Sequence, residues 1–373
     1  MKGIIFWACS NCRSTIGFYR EFARQLNVPM VVAIWFTQKG GTCAVRSELG
    51  FRADEFKDIE MVVVGEDYKK GIELIDSHSG WHNLFGVYHG APNYQRLLQE
   101  CKRRGLKAGV ICEAPCNMST GFRRHLKEVY LKWILPLTVK RVVRAADFFV
   151  SLSGDSSGWV RNNGWSDDKI IPFGYYPPAI EGTVPVLRTS NKPFHILATG
   201  KMTPYRGADV LMKALILLKR WGVTFKATIT QEGELLPLLE HYMSKYDLPV
   251  ELAGFVEIGR LKELYATASV FVGAGRDEPW GMRLNDVLQC GMPLVVSRGM
   301  GGVQLVDRYH CGASFEREDY VDLANKLRMM ALDAEYYRLC AANAYSVAKQ
   351  ISPEIMAGKL ISEIRSRFNG WFA

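Results

Sequence analysis

The sequence lacks long apolar runs, which limits the kinds of protein it can be. No apolar stretch reaches the roughly 18 residues that a bilayer-spanning helix needs. The first apolar stretch, residues 3–8, is short and gives way to polar residues at once, so it favours a buried strand over a signal peptide. We therefore expect a cytoplasmic protein, and its 373 residues favour two domains.

Three chemical motifs are also missing. No G-x-G-x-x-G follows the first strand, which argues against a dinucleotide-binding oxidoreductase. Asp-x-Asp does not occur, so a metal-bridged site has no obvious ligands, and we predict activity without metal or other cofactor. The nine cysteines, an odd number, favour reduced thiols. A metal site built from the close pairs Cys9/Cys12 and Cys112/Cys116 is a less favoured alternative, because no second C-x2-C supports it.

Residues 1–177 alternate between strand-like and helix-like stretches. Buried-type strands are predicted at residues 3–8, 30–36, 61–64, 84–89, 108–113 and 148–152, with amphipathic helices such as 16–26 and 94–104 between them. This alternation indicates a mostly parallel sheet, and such sheets bind ligands beyond the carboxyl ends of their strands. His89 and Glu113 end two of these strands and are candidates for contact with an acceptor. A purely structural role for His89, and for Glu113 a carboxylate that forms its hydrogen bonds within its own loop, are equally favoured alternatives.

Residues 118–144 carry an unusual excess of positive charge, with Glu128 as the single acid among seven lysines and arginines. Large apolar residues alternate with these cations at helical spacing. This pattern is typical of a helix that lies on an anionic membrane surface, which we favour. The alternative is a solvated helix that packs its apolar stripe on the sheet. Nucleic acid is not expected as a partner, because no recognisable reading motif accompanies the charge.

The prolines divide the chain. Five of them lie between residues 172 and 193, a stretch with little periodicity that is typical of a linker. We predict an N-terminal domain at 1–177, a linker at 178–193, a second α/β domain at 194–350 and a terminal helix at 351–373.

The second domain opens with a strand and a glycine-bounded turn. Gly200 and Lys201 follow the strand, and Arg206 and Gly207 precede a helix. Two cations five residues apart on one turn can converge on a diphosphate.

A second polar site is predicted after residues 270–272. Glu278 precedes a helix, and N–H groups near Gly281 and Met282 at its start favour an anion. Asp286 follows Glu278 by eight residues, about two helical turns, and lies on the same helix. Carboxylates of this kind are suited to binding sugar hydroxyls, since an ionised oxygen accepts stronger hydrogen bonds.

These segments resemble the family 4 retaining glycosyltransferases. The Glu278-Pro-Trp-Gly-Met segment, followed by Asp286-Val-Leu-Gln-Cys-Gly-Met-Pro, is similar to the family's Glu-x7-Glu pattern, with aspartate as the second acid. The turn that contains Lys201 and Arg206 resembles the family's Gly-Arg-Leu and Lys-Gly segments with the two basic types exchanged. Residues 299–302 resemble a Gly-Gly loop that approaches the nucleotide.

The resemblance implies a GT-B fold, with two Rossmann-like doubly wound domains facing a cleft and a last helix that crosses back. It implies transfer of a sugar, with retention, from a nucleotide-diphosphate donor to a saccharide or lipid-linked saccharide at the inner membrane face, as in polysaccharide or lipopolysaccharide synthesis. The implied catalytic residues are Lys201, Arg206 and Glu278, and the implied donor-binding residues are Gly200, Gly281, Met282, Asp286 and Gly302. An epimerase or phosphorylase-like enzyme and a non-catalytic sugar-nucleotide binder remain alternatives.

Overall fold

The computed structural model describes residues 1–9, 12–35, 56–86, 91–115, 117, 119, 121–154, 157–190 and 193–373. Two compact units divide the chain. The first comprises residues 1–115, 122–178 and 352–373, and the second comprises 116–121 and 179–351. Each unit contains its own parallel sheet and its own hydrophobic core.

The sheet of the first unit has seven parallel strands in the order β3-β2-β1-β4-β5-β6-β7. Their apolar residues are largely buried, as expected when helices cover both faces of a parallel sheet. The strands are β1 (Ile4–Ala8), β2 (Met30–Ile34), β3 (Glu60–Val63), β4 (His82–Phe85), β5 (Ala108–Cys112), β6 (Phe149–Ser151) and β7 (Ile170–Pro172). The described helices between them are α1 (Arg13–Leu26), α2 (Tyr68–Ser77), α3 (Pro92–Arg103), α4 (Gly121–Val129), α5 (Leu135–Ala145) and α6 (Ser157–Asn162).

The sheet of the second unit has six parallel strands in the order β10-β9-β8-β11-β12-β13. This is the strand order of a Rossmann fold, which reverses between β8 and β11. The strands are β8 (His195–Thr199), β9 (Lys226–Thr230), β10 (Val250–Gly254), β11 (Val270–Gly273), β12 (Leu294–Ser297) and β13 (Gly312–Phe315). The helices are α7 (Ala208–Arg220), α8 (Leu236–Lys245), α9 (Ile258–Thr267), α10 (Met282–Gln289), α11 (Val303–Tyr309), α12 (Tyr320–Leu332) and α13 (Ala334–Ala348); α14 (Pro353–Arg367) belongs to the first unit.

The predicted α/β class with two doubly wound parallel sheets is confirmed. Strand β7 was not predicted, because three residues are too few to show a period and the prolines that follow indicate a linker.

The basic segment is not one uniform helix. A π-helical turn, Tyr130–Ile134, separates α4 from α5. Helix α5 buries Leu135, Val139 and Val142, so this part does pack an apolar stripe against its unit. Leu131 and Val143 are partly buried against the same core, and the other large apolar side chains described in the segment are exposed. In the described ranges, no helix is long and apolar enough to cross a membrane.

Two buried histidines make stability depend on pH. His82 packs against Trp371, and the ring of His195 lies 2.9 Å from the hydroxyl of Thr228. Burial, and to a smaller extent neighbouring positive charge, lowers the pKa of each histidine to about 4. The charged groups around them are the N-terminal amine, Lys107 and Asp147 for His82, and Lys226, Glu251 and Arg260 for His195.

Between pH 6.5 and 4 the unfolded chain binds these two protons and the folded chain does not. We therefore expect the free energy of unfolding to fall as the pH is lowered through this window, by about 1.4 kcal/mol per pH unit for each histidine. Urea titrations across this pH range measure the slope. His82→Gln and His195→Gln should each flatten it, and an unchanged slope in both variants would contradict the assignment.

Candidate functional site

A pocket opens at the carboxyl ends of β8 and β11. This is the position where the strand order of the second sheet reverses, which is the usual binding position in such folds. The polar and glycine residues that line it come from the two predicted segments: Thr199, Gly200, Lys201, Arg206, Gly207, Gly273, Gly275, Glu278, Gly281 and Arg283. The fold therefore brings Gly200, the three residues predicted as catalytic, and Gly281 into one pocket.

The basic turn after β8 is held close to β11 by a glycine. Gly207 has φ +70°, and a Cβ built on it would lie 2.0 Å from the carbonyl oxygen of Ala274. Only glycine allows this approach together with this backbone conformation. The turn Pro204–Arg206 is thereby fixed at the pocket, where Arg206 is partly buried and Lys201 is exposed.

Glu278 and Arg206 form an ion pair inside the pocket. The carboxylate side chain is 9% exposed and the guanidinium side chain 39%. Burial raises the pKa of Glu278, and the charge and hydrogen bond of Arg206 oppose that rise. The pair therefore holds the carboxylate in an orientation set by Arg206, with its second oxygen close to Gly275.

Arg276 connects the basic turn to the loop that carries Glu278. Its guanidinium donates two hydrogen bonds of 2.8 Å to the carboxylate of Asp209, in the first turn of α7. Its backbone N–H donates to the carbonyl of Tyr205 at 3.0 Å. The relative position of Arg206 and Glu278 is thus set by a bidentate ion pair behind them.

The glycine loop at 299–302 supports the loop of Glu278. The N–H of Glu278 donates to Gly299 at 3.0 Å, and the N–H of Gly301 donates to the carbonyl of Glu278 at 2.9 Å. Gly302, predicted to bind the donor, donates its N–H to the carbonyl of Trp280 at 2.9 Å and is not among the residues that line the pocket. Its observed role is close packing, since a Cβ would lie 2.6 Å from that same carbonyl.

Helix α10 begins at the pocket. Gly281 is its N-cap with φ +94°, and no side chain caps the helix. The positive end of the helix dipole therefore points at the position predicted for an anion. Met282 is the first helical residue and does not line the pocket with its side chain.

Arg283 lines the pocket and was not singled out from the sequence. Its guanidinium lies 3.1 Å from Oδ2 of Asp286, three residues along α10. Asp286, predicted as a donor-binding residue, is not among the lining residues. The sequence did contain a signal for Arg283. A cation in the first turn of a helix is disfavoured by the helix dipole, so a nearby anion is expected to stabilise it.

The two acceptor candidates predicted from the sequence belong to the first unit. His89 and Cys116 lie outside the described residues. Glu113 follows β5 and lies beside Tyr175. Burial of the Tyr175 phenol, together with the nearby carboxylate of Glu113, raises the pKa of Tyr175. Among the described residues, no three histidine, cysteine or acidic side chains lie close enough together to hold a metal ion.

Part of the chain is similar in sequence to known glycosyltransferases. Residues 183–347 match the model of the family described as glycosyl transferases group 1. The chain is 24% identical over 161 residues to an uncharacterized glycosyltransferase of Methanocaldococcus jannaschii, which is 42% of this chain and 44% of the relative. It is 33% identical over 100 residues to a GDP-mannose-dependent alpha-(1-6)-phosphatidylinositol dimannoside mannosyltransferase of Mycobacterium tuberculosis, 26% of each chain. The matches thus span less than half of these relatives.

Solved structures resemble the chain over nearly its full length. HepE of Anabaena in complex with UDP matches with a TM-score of 0.69 at 14% identity, covering 98% of this chain and 100% of that one. The lipopolysaccharide outer core galactosyltransferase WaaB matches with a TM-score of 0.68 at 11% identity, covering 99% and 100%. The chain therefore has the GT-B fold of solved glycosyltransferases, and its residues 183–347 match glycosyl transferases group 1.

Proposed function

We propose that the protein is a retaining glycosyltransferase. It moves a sugar from a nucleotide-diphosphate donor to a hydroxyl of a saccharide or lipid-linked saccharide in cell-surface polysaccharide synthesis. The observation that carries this proposal is the convergence of Lys201, Arg206 and Glu278 in one pocket at the β8/β11 edge. The nucleotide bound to HepE, UDP, and the donor named for the mycobacterial mannosyltransferase, GDP-mannose, support UDP- and GDP-sugars as the first candidates.

The pocket's charges are suited to the bond that has to break. Cleavage of the sugar–phosphate bond builds negative charge on the departing diphosphate, and donors positioned in advance stabilise that charge most in the transition state. Lys201, Arg206 and the N-terminus of α10 supply positive charge at one place. Because a guanidinium has five N–H donors, Arg206 can bind a phosphate oxygen while it holds Glu278. Glu278 accepts hydrogen bonds from the donor sugar.

The reaction as proposed uses these side chains in place of a metal ion. The sequence contains no Asp-x-Asp with which a metal could bridge the diphosphate. Lys201, Arg206 and the N-terminus of α10 provide positive charge at the leaving diphosphate, as a metal ion would. We accordingly propose that transfer needs neither a metal nor another cofactor.

A thermal-shift screen with nucleotide sugars tests the proposed function. We expect one class among UDP-, GDP- and ADP-sugars to raise the melting temperature, since a ligand at 100 times its dissociation constant adds about 2.7 kcal/mol of stability. The same sugar should then be transferred to a saccharide acceptor with retention of anomeric configuration. Donor conversion without acceptor would favour an epimerase, and binding without turnover a non-catalytic partner. No shift with any class would overturn the proposal.

We further propose that the enzyme lies at the inner face of an anionic membrane. Seven large apolar side chains of the basic segment are at least 43% exposed: Phe122, Leu126, Val129, Tyr130, Trp133, Ile134 and Leu137. Their spacing of three, four and one residues places them on one helical stripe. Seven cations and the single acid Glu128 accompany this stripe. An apolar stripe flanked by cations is complementary to anionic lipid, and each lysine or arginine near such a surface contributes about 1 kcal/mol.

Vesicle binding checks this location. We expect the protein to sediment with vesicles that contain 30% phosphatidylglycerol in phosphatidylcholine, and much less with phosphatidylcholine alone. The double change Phe122→Ser and Trp133→Ser should weaken binding by about tenfold or more, because two large apolar side chains no longer enter the lipid. Leu332→Ser with Leu339→Ser is the matched control, since both leucines are exposed in the second unit. Equal loss in both double variants, or no binding by the unchanged protein, would contradict the location.

A further inference from the structure

We propose that Arg283 binds the diphosphate of the donor and that Asp286 acts as a positioning residue for Arg283, without contacting the donor itself. The inference deepens the proposed function and rests on it. It assigns a binding role to an arginine that the resemblance does not predict, and it changes the role of the aspartate that the resemblance places on the ribose.

The geometry at the start of α10 carries this assignment. Arg283 is the second residue of the helix, and its side chain lines the pocket together with Lys201, Arg206 and Glu278. Asp286 is not a lining residue, although its carboxylate is 3.1 Å from the Arg283 guanidinium. The ion pair thus joins a residue that lines the pocket, Arg283, to one that does not, Asp286.

The charges support a phosphate as the group that Arg283 meets. The two side chains of the pair are only 23% and 15% exposed, so both ions are largely removed from water. A cation in the first turn opposes the helix dipole. Burial disfavours the charged form, but Tyr265 and Asp286 outweigh burial and raise the pKa of Arg283, so the guanidinium stays charged. The pocket and its surroundings hold three cations, Lys201, Arg206 and Arg283, against two acids, Glu278 and Asp286. The remaining positive charge suits an anionic ligand.

The ion pair also explains why the shorter acid is compatible with the site. An aspartate three residues after Arg283 can reach the guanidinium on the same face of the helix. Asp286 accepts from one of the five N–H groups and Tyr265 is a second neighbour of the guanidinium, so N–H groups remain for a phosphate. A planar guanidinium in a fixed orientation is well suited to bind two phosphate oxygens at once.

A double-mutant cycle tests the proposal. Dissociation constants of UDP, GDP and ADP are measured by calorimetry for the unchanged protein, Arg283→Gln, Asp286→Asn and the double variant. We expect Arg283→Gln to weaken binding of the preferred nucleotide by about 10- to 100-fold, the range for a lost hydrogen bond to a charged group. Arg283→Lys should recover part of that loss. Asp286→Asn should weaken binding less, and should add nothing once Arg283 is replaced.

Arg298→Gln is the matched control. Arg298 belongs to the same unit, is 46% exposed and pairs with Asp307 at 3.2 Å, outside the pocket. It should leave nucleotide affinity unchanged, and thermal unfolding without nucleotide shows whether each variant is folded. Unchanged affinity in a folded Arg283→Gln protein would overturn the role of Arg283. An Asp286→Asn loss of equal size in both backgrounds would overturn the positioning role. If the unchanged protein binds none of the three nucleotides, the proposed function fails together with this inference.

Discussion

Replacing Glu278 with glutamine is expected to lower the rate of sugar transfer by about 100-fold, the size of effect produced when a substrate is held slightly out of place. Glutamine keeps the shape and can still accept a hydrogen bond from Arg206, but it loses the ionised oxygen that would hold the donor sugar. The folded protein should tolerate the change. Because the carboxylate is buried, removing its charge also removes its desolvation cost, and the free energy of unfolding should stay within about 1 kcal/mol.

Transfer rates with the preferred donor and thermal unfolding measure these two effects side by side. Glu316→Gln is the control, since Glu316 is 70% exposed and pairs with Arg298 at 3.4 Å, outside the pocket. It should retain the full rate. A Glu278→Gln enzyme that is folded and fully active would remove Glu278 from the catalytic residues. A variant that is both inactive and unfolded would show that the carboxylate is structural.

The second large effect concerns Arg188, in the segment predicted as a linker. Its side chain is buried, and the guanidinium donates to backbone carbonyls at 2.9 Å for Ala268 and 3.0 Å for Cys290, and also to Tyr265. Tyr265 belongs to the last turns of α9, and Cys290 is the C-cap of α10. The arginine thus satisfies carbonyls at two helix ends, where no further helical N–H is available.

Arg188→Met should lower the free energy of unfolding of the second unit by about 3 to 5 kcal/mol, because several buried carbonyls lose their donor at once. The loss of stability should be smaller than the summed free energies of these hydrogen bonds, because burial already disfavours the charged guanidinium and lowers the pKa of Arg188. Urea unfolding measures the change. Arg308→Met, at an exposed arginine of the same unit, should change stability by less than about 0.5 kcal/mol. Equal stability of both variants would show that water replaces the guanidinium.

Helix α10 illustrates how far sequence reasoning reaches. Its start was predicted near Gly281 and Met282, and Gly281 is the N-cap of the observed helix. The resemblance implied a donor contact for Asp286. Spacing along a helix shows which side chains share a face and not which of them lines a pocket. In the folded protein Arg283 lines the pocket, and Asp286 pairs with it without being among the lining residues.

The sequence by itself determined the alternation of strands and helices, and with it the parallel sheets. It also placed Lys201, Arg206 and Glu278 at one sheet edge, because the carboxyl ends of parallel strands lie together. Only the tertiary structure decided the partners of the residues around the pocket. Arg206 forms an ion pair with Glu278, Arg283 forms one with Asp286, and the backbone N–H of Gly302 donates to the carbonyl of Trp280. It also decided that the apolar stripe from Phe122 to Leu137 stays uncovered within the described residues. The physical reason is that periodicity and caps are local properties, whereas burial and pairing depend on elements distant in the chain.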